Sequence, residues 1–491
     1  MKRIAIVGGG IAGVSAAYEL AQQQRAGASV EFVLLESSSR LGGIVETVRR
    51  DGFTVECGPD SWIAEKPWAR ELAVELGLAS EIIHSNDHWR RTYLAEGRAL
   101  TRMPDGMRMM VPANWATVLS SPLFSWQAKL AYLREPKMAA QLKAKALDAQ
   151  TPVKDESVRD FTCRHFGAEV ADTLAAPLLA GVFGGDIAGL SARAVMPAFV
   201  ALEHEYGSLI LGLQERLRQK TSQQAVFATL RNGLQGLIDG MEARIPAASM
   251  RRNAPVVALE RSGAAWRVKS DCGAAEPDED FDAVLIATPT HVTAPLLASL
   301  DSRIPALLPQ HASSAIVVAL AFAPEQARSL RIPRGFGFLV PQRTPGNMGK
   351  APASIEATAR RALLACTFVD QKFSHRAPPG AVLLRGFLGG DHAPALMAES
   401  DETLARLATD ALGRVLGKLP EPSFAVTRRW PNSLPLYAVG HRERMAELDD
   451  RISRLNGLRL IGNAYNGVGL PDLICAGRAA AKNLLRLPAL L

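Results

Sequence analysis

Gly8, Gly10 and Gly13 stand at the spacing of a phosphate cradle, and a carboxylate, Glu36, closes the next apolar run. The stretch Gly8-Gly9-Gly10-Ile11-Ala12-Gly13 satisfies G-x-G-x-x-G. In that pattern the first glycine allows a tight turn, the second lets the backbone approach a pyrophosphate, and the third lets a helix pack close to a strand. Glu36 is placed to accept hydrogen bonds from a ribose diol, and its charge would repel the 2′-phosphate of NADP. The chemistry these residues predict is the holding of a dinucleotide.

The elements that must position them lie on either side. The run KRIAIV at 2–7 is short and apolar, as a buried parallel strand requires. Residues 11–23 follow as a helix whose N-terminal N–H groups and positive dipole end face the phosphates. Residues 30–35 form the second strand and deliver Glu36. Glycines also make ordinary turns, and it is this strand–turn–helix–strand context that gives the motif its meaning.

No side chain stands out as a general base, and none of the nine histidines sits in a metal-binding or triad arrangement. The five cysteines, Cys57, Cys163, Cys272, Cys366 and Cys475, are scattered and form no C-x-x-C pair. That argues against a zinc or disulfide framework and for a reducing compartment. Met1-Lys2-Arg3 runs straight into the first strand without a signal-peptide pattern, and no apolar run reaches the length of a bilayer span. A cytoplasmic chain is expected. The net charge of +7 is not gathered into long basic blocks, which argues against a nucleic-acid partner. It suits an anionic membrane surface or an acidic substrate.

At 491 residues the chain exceeds one simple core. The text turns helical between about 113 and 220, with helices expected at 126–132, 157–166, 169–179, 192–205 and 208–220. Strands at 256–259, 265–268 and 281–288 follow. Further strands at 315–322, 336–340, 363–368 and 381–388, with a helix at 401–416, predict a second sheet. The C-terminus repeats the opening pattern: a strand at 458–461, a glycine-rich turn at 462–469 and a closing helix at 472–485.

Glu36 to Gly43 (ESSSRLGG) resembles the E-x(3)-R-x-G-G signature of the amine-oxidase-like, two-dinucleotide-fold flavoproteins, which makes the expected dinucleotide FAD. Further segments are similar to one branch of that superfamily, the oxygen-dependent protoporphyrinogen/coproporphyrinogen oxidases of haem synthesis. They are CGPDSW at 57–62, EVADTLAAPLLAGVFGGDIAGLS at 169–191, WPNSLPLYAVGH at 430–441 and GNAYNGVGLPDLICAGRAA at 462–480. Ala176 departs from the pattern, where the family often has Glu. The resemblance implies an α/β fold with a discontinuous, Rossmann-like two-dinucleotide-binding FAD domain built from 1–85, 221–290 and 429–491. A helical cap or membrane-facing subdomain at 86–220 and a mixed-sheet substrate domain at 291–428 complete it.

Carried over residue by residue, the resemblance implies that Gly8, Gly9, Gly10, Ile11, Ala12, Gly13 and Glu36 hold the pyrophosphate and adenosine ribose, with Arg40 on a phosphate and Gly42 and Gly43 lining the cofactor. Gly58, Pro59, Asp60 and Ser61 approach the isoalloxazine, Val257 meets the adenine through its backbone, and Trp430 lies near the ring. Val468, Gly469 and Leu470 close over the ring at the head of the closing helix. On the substrate side, Lys66 is the first candidate for a propionate, with Arg90, Arg91 and Arg98 behind it. Gly181 and Gly184-Gly185 allow close passage of a macrocycle, and Phe336 and Phe338 contact it.

The implied activity is a six-electron, O₂-using oxidation of coproporphyrinogen III or protoporphyrinogen IX that produces H₂O₂. The flavin accepts hydride, and no protein base is assigned. Its partners are the porphyrinogen, O₂ and a ferrochelatase that takes the product. The stretch 113–150 mixes Trp115, Leu119, Phe124, Trp126 and Leu130 with basic residues, which suits peripheral contact with the cytoplasmic membrane face, a cap over the active site or an ordinary packed helical subdomain. Two readings compete. One is an amine oxidase or carotenoid desaturase of the same superfamily; the other is a non-catalytic FAD- and porphyrin-binding protein.

Overall fold

The computed structural model describes residues 1–146, 155–219, 225–271, 279–341 and 354–486. Cys272 and the ends of two expected stretches, 147–150 and 220, lie outside them. The chain divides into two compact units. One is assembled from Met1–Ser85, Ala225–His311 and Glu443–Leu491, the other from Asn86–Gln224 and Ala312–Arg442. Residues 291–311 thus pack with the first unit and 429–442 with the second, on the opposite sides from the sequence expectation.

The first unit is built on a five-stranded parallel sheet. Its order is Met250–Arg251, Val30–Leu35, Lys2–Val7, Ala283–Ile286 and Leu458–Leu460. Lys2–Val7 is central, and successive side chains serve opposite faces. Ile4 and Ile6 enter a core with the helices Ile11–Arg25 and Leu470–Arg486. Ala5 and Val7 enter a second core with Trp266, Leu297 and Met445. That alternation is the period of a strand buried on both sides. An antiparallel sheet of Val256–Ser262, Ala265–Ser270 and Glu279–Phe281 covers the second face.

The chain leaves the central strand toward one neighbour through the helix Ile11–Arg25, while the other neighbour arrives much later in sequence. The carboxyl end of Lys2–Val7 is therefore a topological switch point, where open α/β sheets bind ligands.

The second unit holds a seven-stranded mixed sheet. Its order is Phe424–Pro435, Ala312–Phe322, Val382–Leu388, Leu363–Phe368, Gly337–Leu339, Thr92–Glu96 and Ala99–Arg102. Gly337–Leu339 pairs parallel with Thr92–Glu96, and the other pairs are antiparallel. The amphipathic helix Asp401–Leu416 packs Leu404, Leu407, Ala411 and Leu412 onto this sheet. Its Ser400 cap accepts from the Thr403 amide.

A helical layer, from elements within Trp115–Ala146 and Val158–Gln219, completes the unit. The helix expected at 169–179 carries a wide π turn at Ala171–Ala175 before continuing as Ala176–Phe183. The one expected at 192–205 breaks at Met196, because Pro197 starts a new helix, Pro197–Tyr206. No helix among the described residues is long and apolar enough to cross a membrane.

Candidate cofactor site

The Gly8–Gly13 turn is shaped by contacts that exclude side chains. Gly8 has φ +105°, and a Cβ there would lie 3.0 Å from the Ala287 carbonyl. A Cβ on Gly13 would stand 1.9 Å from the Gly8 oxygen, so only glycine lets the helix start this close to its strand. Gly10 differs: nothing lies within 4 Å of its missing Cβ. Gly10 is also the N-cap of Ile11–Arg25, with no side-chain cap and no acidic residue in the first turn. A helix start without a cap leaves its first N–H groups for an anion. Open space over Gly10 beside those donors is the cradle a pyrophosphate fits.

Glu36 sits where the second strand ends. Its Oε2 accepts the Gly9 amide at 2.7 Å and its Oε1 the Ser38 amide at 2.8 Å. The Ser37 hydroxyl also donates to Oε1 at 3.3 Å; a carboxylate has roughly four acceptor positions, so one remains for a ribose hydroxyl and rotation of the Ser37 hydroxyl frees a second. The Gly42 amide donates to the Gly9 carbonyl at 2.8 Å, which clamps the second glycine pair to the first. A Cβ on Gly43, at φ +58°, would lie 3.2 Å from the Gly10 Cα.

Arg40, expected on a phosphate, is engaged by its own loop. Its guanidinium donates to the carbonyls of Leu41, Gly43 and Val45 and lies 3.5 Å from Glu46. It ties down the 40–46 loop, and the backbone supplies the donors facing the cradle.

The closing helix is Leu470–Arg486. A Cβ on Gly477 would meet the Ala12 carbonyl oxygen at 2.2 Å, so this helix crosses Ile11–Arg25 at the cradle itself. Arg478 then bridges Glu19 and Glu75, each at 2.7 Å, locking both helices to Trp68–Glu75. Asp472 lies in the first turn, and its carboxylate is gripped by the Lys66 ammonium at 2.6 Å to each oxygen. Lys66, expected to face a propionate, is therefore engaged by a partner 406 positions away. Gly467 and Gly469 pack against the Asp472 side chain, where a Cβ on either would come within 3.0 Å of it. Gly467 and Gly469, on either side of Val468, are thus seated on this ion pair, and Leu470 begins the helix.

Gly58 is required by the Ile44 carbonyl, only 1.9 Å from where its Cβ would stand. Pro59 follows it, and the Ser61 hydroxyl donates to Asp60 at 2.7 Å. Trp62 is buried, and its indole N–H has no partner among the described residues. Val257 is 59 % exposed and stands at a bulge in Val256–Ser262, the irregular, accessible backbone an adenine contact needs. The first unit brings together Gly8–Gly13, Glu36, Gly42, Gly43, Gly58–Ser61 and Val468–Leu470, and carries Val257 on its antiparallel sheet.

The other candidates belong to the second unit. Trp430 is half-buried on the edge strand Phe424–Pro435, opposite Ala315. Gly181 lies in the helix Ala176–Phe183, which Gly184 ends at φ +67°. Gly184 and Gly185 approach the chain's own Ser313 and Leu436, so their lack of side chains serves packing there. Phe338 is a correction: it is 1 % exposed, in the sheet's core, edge-on to Phe368 at 6.2 Å. Phe336 is buried as well, its backbone bonded to Arg91 and Phe368. His441 is buried and stacks on Tyr437 at 4.0 Å.

The helical layer contains a buried charge network. His165 sits between Glu135 (Nδ1, 3.0 Å) and Glu203 (Nε2, 3.2 Å). Glu135 also accepts from Ser208 and the Leu209 amide, and Arg164 binds Glu203 and Glu156. Burial opposes charge on His165, but its hydrogen bonds to both carboxylates outweigh that and raise its pKa. Burial also opposes ionisation of Glu203, yet Arg164 and His165 hold it down at about 2.

The parallel sheet, the glycine cradle at its switch point and the acidic end of the second strand define a dinucleotide-binding α/β protein of the doubly wound class. Comparison with known proteins makes this specific. The description "Flavin containing amine oxidoreductase" matches residues 11–485, and the chain belongs to that family, with FAD as its cofactor. It is 32% identical to coproporphyrinogen III oxidase of Bacillus subtilis, over 99% of this chain and 98% of that one. It is 30% identical to human protoporphyrinogen oxidase, over 99% and 98%. Among solved structures, cyclohexylamine oxidase from Brevibacterium oxydans aligns at TM-score 0.66 over 99% of this chain and 98% of that one, at 15% identity, a likeness of fold alone.

Proposed function

We propose that this protein oxidises a porphyrinogen to the corresponding porphyrin in haem biosynthesis, with coproporphyrinogen III as preferred substrate and O₂ as final acceptor, giving H₂O₂. The observation that carries the reading is the full-length likeness to proteins named for these oxidations. Bound FAD supplies the hydride acceptor. The chain's residues supply position and charge. The Ile11–Arg25 helix start holds the pyrophosphate, Glu36 fixes the ribose, and Gly58–Ser61 and Val468–Leu470 bracket the flavin ring. No protein base is assigned, because orientation of the reacting carbon is the main demand on the protein. With Lys66 engaged by Asp472, Arg90, Arg91 and Arg98 become the first candidates for propionates. Product passes to a ferrochelatase in this reading. Comparing kcat/KM for coproporphyrinogen III and protoporphyrinogen IX on one preparation tests the preference. A larger value for protoporphyrinogen IX overturns it.

Peripheral membrane contact is proposed for the helix Trp126–Arg134. Trp126, Leu130 and Leu133 form an exposed apolar stripe, with Lys129 over the Trp126 ring and Arg134 and Lys137 beside it. That pattern suits an anionic bilayer surface. Co-sedimentation with anionic vesicles that is unchanged in Trp126→Ser/Leu130→Ser would refute it.

A further inference from the structure

We propose that Lys66 is a positioning residue for the flavin chemistry: paired with Asp472, it cancels a carboxylate at the head of the closing helix and keeps that helix end positive toward the cofactor. The inference rests on FAD binding at the Gly8–Gly13 cradle. The placement comes from the fold. Gly477 touches Ala12 in the first turn of the cradle helix. Asp472 precedes Gly477 by five residues, about 7.5 Å along a helix axis. It also follows the Gly462–Gly469 segment, which leaves the carboxyl end of the strand Leu458–Leu460 in the same parallel sheet. Lys66 reaches Asp472 from the chain that continues Gly58–Ser61. The pair therefore joins the two segments expected to bracket the ring.

The charge logic is direct. Accepting a hydride brings two electrons onto the ring system, and a positive helix end favours the charge that grows there. An uncompensated Asp472 carboxylate would oppose it. The Lys66 ammonium, bidentate at 2.6 Å, removes that opposition. Asp472 in turn holds Lys66 in place and receives the packing of Gly467 and Gly469.

The test is the two-electron reduction potential of bound FAD in the wild type, Lys66→Met, Asp472→Asn and the double variant, together with FAD affinity of each apoprotein. The potential is expected to fall in Lys66→Met and rise in Asp472→Asn, each by about tenfold in the reduced-to-oxidised ratio at fixed potential, or ~30 mV for a two-electron couple. The double variant is expected near the wild type. A purely structural tether would move both single variants in the same direction or leave both potentials unmoved, and either result overturns the proposal. If Lys66→Met fails to retain FAD, the double variant must regain it, since the damage is then the bare carboxylate; failure to regain it also overturns the proposal. A wild type that binds FAD but does not oxidise porphyrinogens defeats the proposed function and leaves this potential test intact.

Discussion

The Glu36 carboxylate accepts the Gly9 amide at 2.7 Å, so the residue expected to read the ribose also holds the phosphate turn in shape. Hydrogen bonds to an ionised acceptor contribute about 1.5–3 kcal/mol each. Glu36→Gln removes the charge while keeping the size. We predict FAD affinity of the apoprotein, read by calorimetric titration, to fall by roughly ten- to a hundredfold, at about 1.4 kcal/mol per decade. An unchanged Kd would remove Glu36 from the site.

Gly477 is where the closing helix touches the cradle. Its neighbours there are the Ala12 carbonyl and the Ala16 amide, backbone atoms that cannot rotate away. Gly477→Ala is expected to cost on the order of 1–3 kcal/mol through overpacking. The loss should appear as a lower Tm, with weaker FAD binding alongside it. A variant with wild-type Tm and FAD affinity would mean that the helix crossing is not tight at this point.

The His165 network sets a pH window for the second unit. The folded pKa of His165 is raised, so its contribution is complete below the unfolded value of about 6.5 and is lost as pH rises through the folded value. Glu203 is depressed to about 2, so its contribution is complete above the ordinary carboxylate range and is lost as pH falls toward that value. The Tm difference between wild type and His165→Gln should therefore be largest from about pH 5 to 6.5 and should shrink at higher pH. A difference that grows from pH 6.5 to 9 would contradict this.

The first unit was legible in sequence because its signals are local. The strand 2–7, its glycines, the next helix and Glu36 lie together in the chain, and each glycine spacing has one steric reason. The second unit was less so. The strand Phe424–Pro435 contains Pro431 and ends at Pro435, which reads as a loop. It forms because it lies at the sheet edge, where a missing N–H is tolerated. One element of the first unit also escapes a local reading: the helix His441–Arg454 is hidden by its charge, although Met445, Leu448 and Ile452 give the helical spacing of its buried face. Phe338 looked like a ligand contact because an aromatic in a glycine-rich strand offers no sign of which face it serves. The Lys66–Asp472 pair could not be read at all, since nothing in sequence joins residues so far apart.

Oxidation of a porphyrinogen by bound FAD underlies every role proposed for this site. The direct measurement is an anaerobic titration of the purified protein with coproporphyrinogen III, followed by flavin absorbance and porphyrin fluorescence. The protein is expected to be yellow and to bleach anaerobically as each FAD takes two of the six electrons; admission of O₂ restores the colour, and porphyrin fluorescence develops as the flavin completes its three cycles. A yellow protein that binds the macrocycle without bleaching would contradict this.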